Sequence, residues 1–180
     1  MLVLKDHKID GVDYIPSPNC EERPKNFFPE IIVIHAISLP KGKYITKNIV
    51  DLFTNNLDIK SHSSFKSLDG IRVSAHILIP RDGSILQFVP FNKKAWHAGI
   101  SSFGKKTNCN DFSIGIELEG TDNSIFEDVQ YSKLIELTRT LMQNYPKISK
   151  ERIVGHSFIA PGRKSDPGIY FDWKNYKSEI

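Results

Sequence analysis

The chain has 180 residues, of which 39% are hydrophobic and 25% charged, the balance of an ordinary globular protein. This length fits one domain with a sizeable core. The net charge of +3 is too small to indicate a nucleic acid or a membrane surface as a partner. No apolar run approaches the length of a transmembrane helix. We therefore expect no nucleic acid and no membrane as a partner. We also expect a monomer.

The N-terminal stretch and the cysteine content indicate in which cellular compartment the protein is expected. The stretch MLVLKDHKID has few apolar residues before Lys5 and Asp6, so no secretory signal core is predicted. Two cysteines, Cys20 and Cys109, are too few for a disulfide framework. Both observations favour the reducing cytoplasm.

The first elements are an arm and a buried strand. Residues 1–30 contain four prolines and predict an irregular arm packed on a domain formed by residues 31–180. Residues 31–34 are a branched apolar run, typical of a strand buried on both faces. The run ends at His35, which is either a core imidazole or a ligand projecting from the strand end.

A short helix and a hairpin come next. Residues 46–54 predict a helix with Thr46 as its possible cap. Residues 72–79 and 85–89 flank PRDGS, an Asp-Gly turn between β-rich runs that predicts a hairpin. His76 shares one face of the first strand with Arg72. That face either lines a cleft or is a solvated sheet surface.

The segment AWHAG places two ring side chains beside small residues. Trp96 and His97 could form the wall of a sugar or peptide site. The alternative is a core tryptophan next to an exposed histidine.

Residues 112–119, FSIGIELE, alternate apolar and polar residues as a strand does. Glu117 shares a face with Gly115, which leaves space above the sheet. A carboxylate inside a strand is unusual. Glu117 is therefore either salt-bridged on an exposed face or directed into a site, whereas Glu119 is expected to be solvated.

Two helices complete the pattern. Residues 127–144 carry apolar residues at helical spacing, which predicts a core-facing stripe, and Pro146 stops this helix. Residues 172–177 predict a terminal helix capped by Asp172. The order of elements predicts an α/β or α+β domain, a mixed sheet of about five strands with helices packed on it.

The loop at residues 155–168, GHSFIAPGRKSDPG, has prolines and glycines that exclude a continuous helix or strand. A short strand at residues 152–154 leads into His156. By itself the stretch could be a surface loop that happens to carry a histidine and an aspartate.

Combined with the rest of the chain, this loop predicts a metal centre. His35, His156 and Asp166 are three potential ligands near strand ends. Two histidines and one carboxylate with an open fourth position form a catalytic zinc site. Glu117 is then the natural general base, and Lys164 the natural cation for an oxyanion.

Five segments resemble the zinc-dependent N-acetylmuramoyl-L-alanine amidases of the amidase_2 type. They are IIVIHAISLP, RVSAHILIPRDGSILQFVPF, KKAWHAGIS, CNDFSIGIELEGTD and GHSFIAPGRKSDPG, and with flanking matches they cover nearly the whole chain in order. The resemblance implies a peptidoglycan-recognition-like fold and one zinc ion per chain, held by His35, His156 and Asp166. It implies Glu117 and Lys164 as the catalytic pair. The substrate contacts that it implies are Arg72, Trp96, His97 and Arg163.

The resemblance also implies a reaction, hydrolysis of the amide between the lactyl group of N-acetylmuramic acid and L-alanine of the stem peptide. The expected substrate is a 1,6-anhydro-muropeptide in cytoplasmic peptidoglycan recycling. The alternatives are a lytic amidase acting on intact peptidoglycan and a non-catalytic muropeptide-binding module. All five ligand and catalytic positions are present, which argues against the module.

Four positions depart from the pattern of close relatives. They are Ala36, Asn108, Ser157 and Phe158, which stand where relatives carry asparagine, a basic residue, cysteine and an acid. None is a ligand or catalytic position, so the departures concern substrate affinity.

Overall fold

The computed structural model describes residues 2–180, and within them it contains a central sheet flanked by helices. No helix in this range is long and apolar enough to cross a membrane. The strands are β1 (Leu4–Lys5), β2 (Lys8–Ile9), β3 (Asp13–Tyr14), β4 (Cys20–Glu22), β5 (Ile31–Ile37), β6 (Ile77–Ile79), β7 (Leu86–Gln87), β8 (Lys93–Ala95), β9 (Ser102–Phe103), β10 (Lys106–Thr107), β11 (Ser113–Glu119) and β12 (Ile153–Gly155). The α-helices are α1 (Thr46–Phe53), α2 (Asp128–Asn144), α3 (His156–Ile159) and α4 (Trp173–Ser178), and short 3₁₀ turns span Ser63–Leu68, Cys109–Asp111 and Lys150–Arg152.

The central sheet is mixed and has the strand order β12-β5-β11-β6-β7-β3. Strands β12, β5, β11 and β6 run parallel, while β6 and β7 form an antiparallel hairpin. The register sets Glu117 opposite His35 and Gly155 opposite Ile34. The polar residues that end β5 and β11, or follow β12, therefore lie along one edge of the sheet.

Alternate residues of β5 pack on opposite faces of the sheet, as its continuous apolar run predicts. Ile32 and Ile34 pack in the cluster that contains Leu134 of α2. Ile31 and Val33 pack in a second cluster on the other face. By the same alternation, His35 projects from the face that α2 does not cover.

Several predicted elements are confirmed. The hairpin turns at Gly83, whose φ of +79° is a left-handed conformation that favours glycine. Helix α2 spans nearly the predicted residues, and the Asp172 side chain accepts a hydrogen bond from the backbone N of Asn175 at 2.9 Å, which caps α4. Both cysteines are free.

Two predictions about polar residues on the sheet are wrong. His76 lies neither in a cleft nor on a solvated face: it is fully buried, accepts from the Gly115 backbone N and contacts the Lys93 carbonyl, each at 3.0 Å. Glu119 is only 2% exposed, and it accepts hydrogen bonds from Thr46 Oγ1. Thr46 is therefore not the cap of α1, whose N-cap is Ile45.

Other boundaries also differ from the prediction. Residues 72–76 are not part of a regular strand, because β6 begins only at Ile77. The loop at 155–168 begins with the single helical turn of α3, since its prolines and second glycine come only after that turn. The arm is not irregular throughout: β3 joins the central sheet beside β7, and β4 pairs with β8.

Glu30, directly before β5, is a buried carboxylate that forms ion pairs with three cationic side chains. It contacts Lys106 at 2.6 Å, Lys147 at 3.1 Å and Arg152 at 3.0 Å. Burial raises the pKa of Glu30, but the hydrogen bonds from Lys106 and Lys147 outweigh burial and hold it below its ordinary value.

We expect Glu30→Ala to lower the free energy of unfolding by about 2 kcal/mol, because it removes charge-assisted hydrogen bonds at a buried site. A urea titration at neutral pH measures this. Because the folded-state pKa is depressed, the contribution is present above the unfolded pKa of about 4.3 and is lost as pH falls through the folded pKa. The difference from wild type should therefore shrink in acid.

The matched control is Glu22→Ala, since Glu22 pairs with Lys93 but its side chain is 73% exposed. An exposed pair contributes less than about 1 kcal/mol. Equal losses in the two variants would contradict a special role for the buried carboxylate.

Candidate metal centre and catalytic site

Three side chains converge where β12 and β5 end. His35 lies on β5, His156 begins α3 directly after β12, and Asp166 lies in the loop beyond α3. The two Nδ1 atoms are 2.9 Å apart, and Asp166 Oδ2 lies 3.0 Å from His35 Nδ1 and 3.1 Å from His156 Nδ1. The three ligand atoms thus form a nearly equilateral triangle.

The loop that carries Asp166 folds back on the strand end. The Ser157 backbone N donates to the Asp166 carbonyl at 3.0 Å. A Cβ on Gly155 would lie 2.7 Å from the Pro167 ring, so only glycine lets the loop pack this closely. The glycine and proline residues of this loop therefore allow it to place a carboxylate beside two imidazoles.

This donor set fits a metal ion. Zinc bonds to nitrogen and oxygen are about 2.0–2.1 Å long, and tetrahedral angles then place ligand atoms about 3.3 Å apart. The observed separations of 2.9 to 3.1 Å are close to that spacing. These three residues can hold a metal ion, and their two imidazoles and one carboxylate are the ligands typical of catalytic zinc.

The electrostatics keep the ligands in their binding forms. Burial lowers the pKa of His35 to about 4, although the hydrogen bond to Asp166 opposes the shift. Burial raises the pKa of Asp166, but its hydrogen bonds to His156 and His35 lower it far below the ordinary range. At neutral pH His35 is therefore neutral and Asp166 ionised, as metal ligation requires.

Glu117 faces this triangle from the neighbouring strand. It is 9% exposed, and its Oε1 lies 4.0 Å from His35 Nδ1. Its Oε2 is buried and has no hydrogen-bond partner within residues 2–180. Burial and the nearby charge of Asp166 raise its pKa well above the ordinary value, and Lys164 opposes this. A buried carboxyl group without a partner, beside a ligand set, marks a functional group.

Lys164 lies in the adjoining cleft, which has a volume of about 260 Å³ and is also lined by Asp166 and Ala36. Lys164 is exposed, and among residues 2–180 its ammonium group has no hydrogen-bond acceptor. Asp122 supports the loop by accepting from Ser165 Oγ at 2.7 Å. Lys164 is thus available to a ligand in the cleft.

The four residues that the resemblance implies as substrate contacts lie in different surroundings. Arg163 lines the cleft, but its Nη2 donates to the carbonyls of Ala98 at 2.6 Å and Ile100 at 2.7 Å. Trp96 is half-buried. Arg72 is exposed and lines a separate groove with residues such as Leu52 of α1. Substrate contact by these residues stays a prediction.

His97 stands behind the metal ligands. Its Nδ1 lies 2.8 Å from His35 Nε2, and its Nε2 lies 2.9 Å from Ser113 Oγ. A Cβ on Gly115 would lie 2.4 Å from the His97 ring, so this ring fills the space that glycine leaves above the sheet. Burial, followed by the proximity of His35, lowers the pKa of His97 well below its ordinary value.

Sequence reasoning missed the roles of Ser113 and Asn110. Ser113, Gly115 and Glu117 share one face of β11, so their alternation was a usable signal for the first. Asn110 Oδ1 accepts from the backbone N of His97 at 3.1 Å and of Ala98 at 2.8 Å. No local pattern indicates that contact, which depends on the tertiary fold.

A family model described as N-acetylmuramoyl-L-alanine amidase matches residues 25–169. The chain is 47% identical over 176 residues to the 1,6-anhydro-N-acetylmuramyl-L-alanine amidase AmpD of Escherichia coli (strain K12), covering 98% of this chain and 96% of that protein.

Two solved structures are also similar. A selenomethionine derivative of AmpD superposes with a TM-score of 0.96 at 45% identity, and the match covers 99% of each chain. A complex of the E. coli amidase AmiD with anhydro-N-acetylmuramic acid-L-Ala-D-γ-Glu-L-Lys, called its substrate, superposes with a TM-score of 0.60 at 33% identity. That match covers 88% of this chain and 61% of the other.

Proposed function

Because this chain belongs to the N-acetylmuramoyl-L-alanine amidase family, we propose that it hydrolyses the lactyl–L-alanine amide of 1,6-anhydro-muropeptides. The products are the anhydro-sugar and the free stem peptide. The observation that carries the reaction type is the buried Oε2 of Glu117, which has no hydrogen-bond partner among residues 2–180, while Oε1 lies 4.0 Å from His35 Nδ1 of the His-His-Asp triangle.

His35, His156 and Asp166 hold the metal in this proposal. A zinc ion bound there supplies a Lewis acid that acidifies water and polarises the scissile carbonyl. The donor chemistry and the spacing of the three ligand atoms support zinc.

Glu117 and Lys164 have separate roles: Glu117 transfers the proton, and Lys164 stabilises the developing negative charge. Glu117 takes the proton of the attacking water and returns it to the leaving amine nitrogen. Lys164, in the cleft next to Asp166, stabilises the negative charge that develops on the carbonyl oxygen. Its charge already acts on Glu117 in the free protein, where it partly offsets the rise in the carboxyl pKa that burial and Asp166 cause.

The substrate class is supported by the relatives. The E. coli relative carries 1,6-anhydro-N-acetylmuramyl-L-alanine in its name, and AmiD is complexed with an anhydro-muropeptide. Fragments with an anhydro end are soluble pieces of wall, and we place their hydrolysis in the cytoplasm as a step of peptidoglycan recycling. In this proposal the half-buried Trp96 packs on the bridged sugar.

We expect anhydro-muropeptides to be cleaved at least about tenfold faster, by kcat/KM, than matched reducing muropeptides. A pocket fitted to the less polar bridged ring leaves unpaired the two hydroxyls, on C1 and C6, that a reducing sugar carries in place of the bridge, at about 1–3 kcal/mol per group. Mass spectrometry of timed reactions measures both rates and identifies the cleaved bond. Intact sacculi are the third substrate, and comparable rates on all three would favour a lytic amidase instead.

A further inference from the structure

The outward-facing nitrogens of the two metal-binding imidazoles contact consecutive residues. Both Nδ1 atoms face Asp166, so both Nε2 atoms face away from the triangle. His35 Nε2 lies 2.8 Å from His97 Nδ1, and His156 Nε2 lies 3.1 Å from the Ala98 carbonyl oxygen. One segment, residues 97–98, therefore backs both ligands.

These contacts accommodate the tautomers that ligation needs, and the contact with the Ala98 carbonyl allows only one of them. An imidazole that binds a metal through Nδ1 carries its proton on Nε2, and that N–H requires an acceptor. The Ala98 carbonyl can only accept, so it selects this form of His156. His97 can accept from His35 only if its own Nδ1 is bare and its proton sits on Nε2. That proton then has an acceptor, Ser113 Oγ at 2.9 Å.

The segment is itself held rigidly. Asn110 Oδ1 accepts from the backbone N of both residues, and Arg163 Nη2 donates to the Ala98 carbonyl at 2.6 Å. The His97 ring lies against Gly115, where any Cβ would collide with it. Such support is what a fixed hydrogen-bond acceptor behind a ligand requires.

We propose that His97 is a positioning residue that selects the His35 tautomer for metal binding, while the Ala98 carbonyl does the same for His156. The substrate contact that family resemblance implies for His97 stays a prediction, whereas the positioning role rests on the contacts of its ring with His35 and Ser113. The role rests on the proposed metal site, but the tests below require no substrate. A positioning role changes zinc affinity, whereas a substrate contact changes KM alone.

The first test is spectroscopic and uses the wild-type, zinc-loaded protein. Long-range ¹H–¹⁵N spectra report which imidazole nitrogens carry protons. We expect the proton on Nε2 in both His35 and His97, with His97 Nδ1 bare. A proton on His97 Nδ1 would overturn the proposal, and this result does not depend on the folding of any variant.

The second test compares zinc affinity by chelator competition. His97→Leu leaves the His35 N–H without an acceptor, and we expect zinc to bind about 10- to 100-fold more weakly. His97→Asn restores an acceptor oxygen near the position of Nδ1 and should recover most of the affinity. Gly115→Ala keeps His97 but displaces its ring, so it should weaken binding in the same direction.

The control is His62→Leu, since His62 is exposed and hydrogen-bonds within its own turn to Ser64. It should bind zinc like wild type. If wild type binds zinc and His97→Leu binds it equally well, the positioning role is overturned and the proposed function stands. If wild type binds no zinc, both fail.

Discussion

Replacement of Glu117 by glutamine is expected to lower kcat by about 100-fold or more while zinc stays bound. Glutamine keeps the shape of the side chain but cannot take a proton from water. The carboxyl is not a ligand in the triangle, since its nearest oxygen lies 4.0 Å from His35 Nδ1 and Asp166 occupies the third position. Steady-state kinetics on an anhydro-muropeptide, with zinc measured on the same sample, tests both parts.

The same substitution at Glu119 is the matched control. Glu119 lies on the same strand and is also buried, but it accepts hydrogen bonds from Thr46 and from the Arg81 backbone N. Glu119→Gln should leave kcat within a few fold of wild type. A Glu117→Gln enzyme with unchanged kcat and a raised KM would show that Glu117 binds substrate and is not the base.

Removal of a metal ligand should have the largest effect of all. We expect His156→Ala and Asp166→Asn to abolish measurable turnover and to reduce bound zinc well below one per chain, because two remaining ligands cannot hold the ion tightly. Metal analysis after dialysis, together with product assays, measures the two losses.

Asp172→Asn is the control for the aspartate substitution. Asp172 caps α4, and asparagine caps helices equally well. This variant should keep both zinc and activity. Normal turnover by Asp166→Asn at less than stoichiometric zinc would contradict the assignment of Asp166 as a ligand.

Much of the site could be predicted because its residues follow from strand order. The apolar run before His35 and the alternation around Glu117 identify two strands, which the structure pairs as parallel neighbours in a register that brings these residues together. The Gly and Pro positions after His156 predict the loop that returns Asp166. Such local patterns can be predicted from sequence because they depend on the steric properties of neighbouring residues.

Roles that depend on distant partners could not be predicted. Glu119 is buried because Thr46 reaches it from α1, a contact between residues 73 positions apart. His76 is buried against the Lys93 carbonyl, and His97 lies over Gly115. In each case a residue that looks solvated or ligand-facing in the sequence acquires its partner only in the tertiary fold.

In the proposed function one metal ion, held by His35, His156 and Asp166, is required for amide cleavage. The most direct measurement is activity on an anhydro-muropeptide as zinc is titrated into stripped protein. Activity should rise from near zero and saturate at one zinc per chain, with the lactyl–alanine amide as the bond cleaved. Full activity in the stripped protein, or saturation unrelated to zinc bound at these residues, would contradict it.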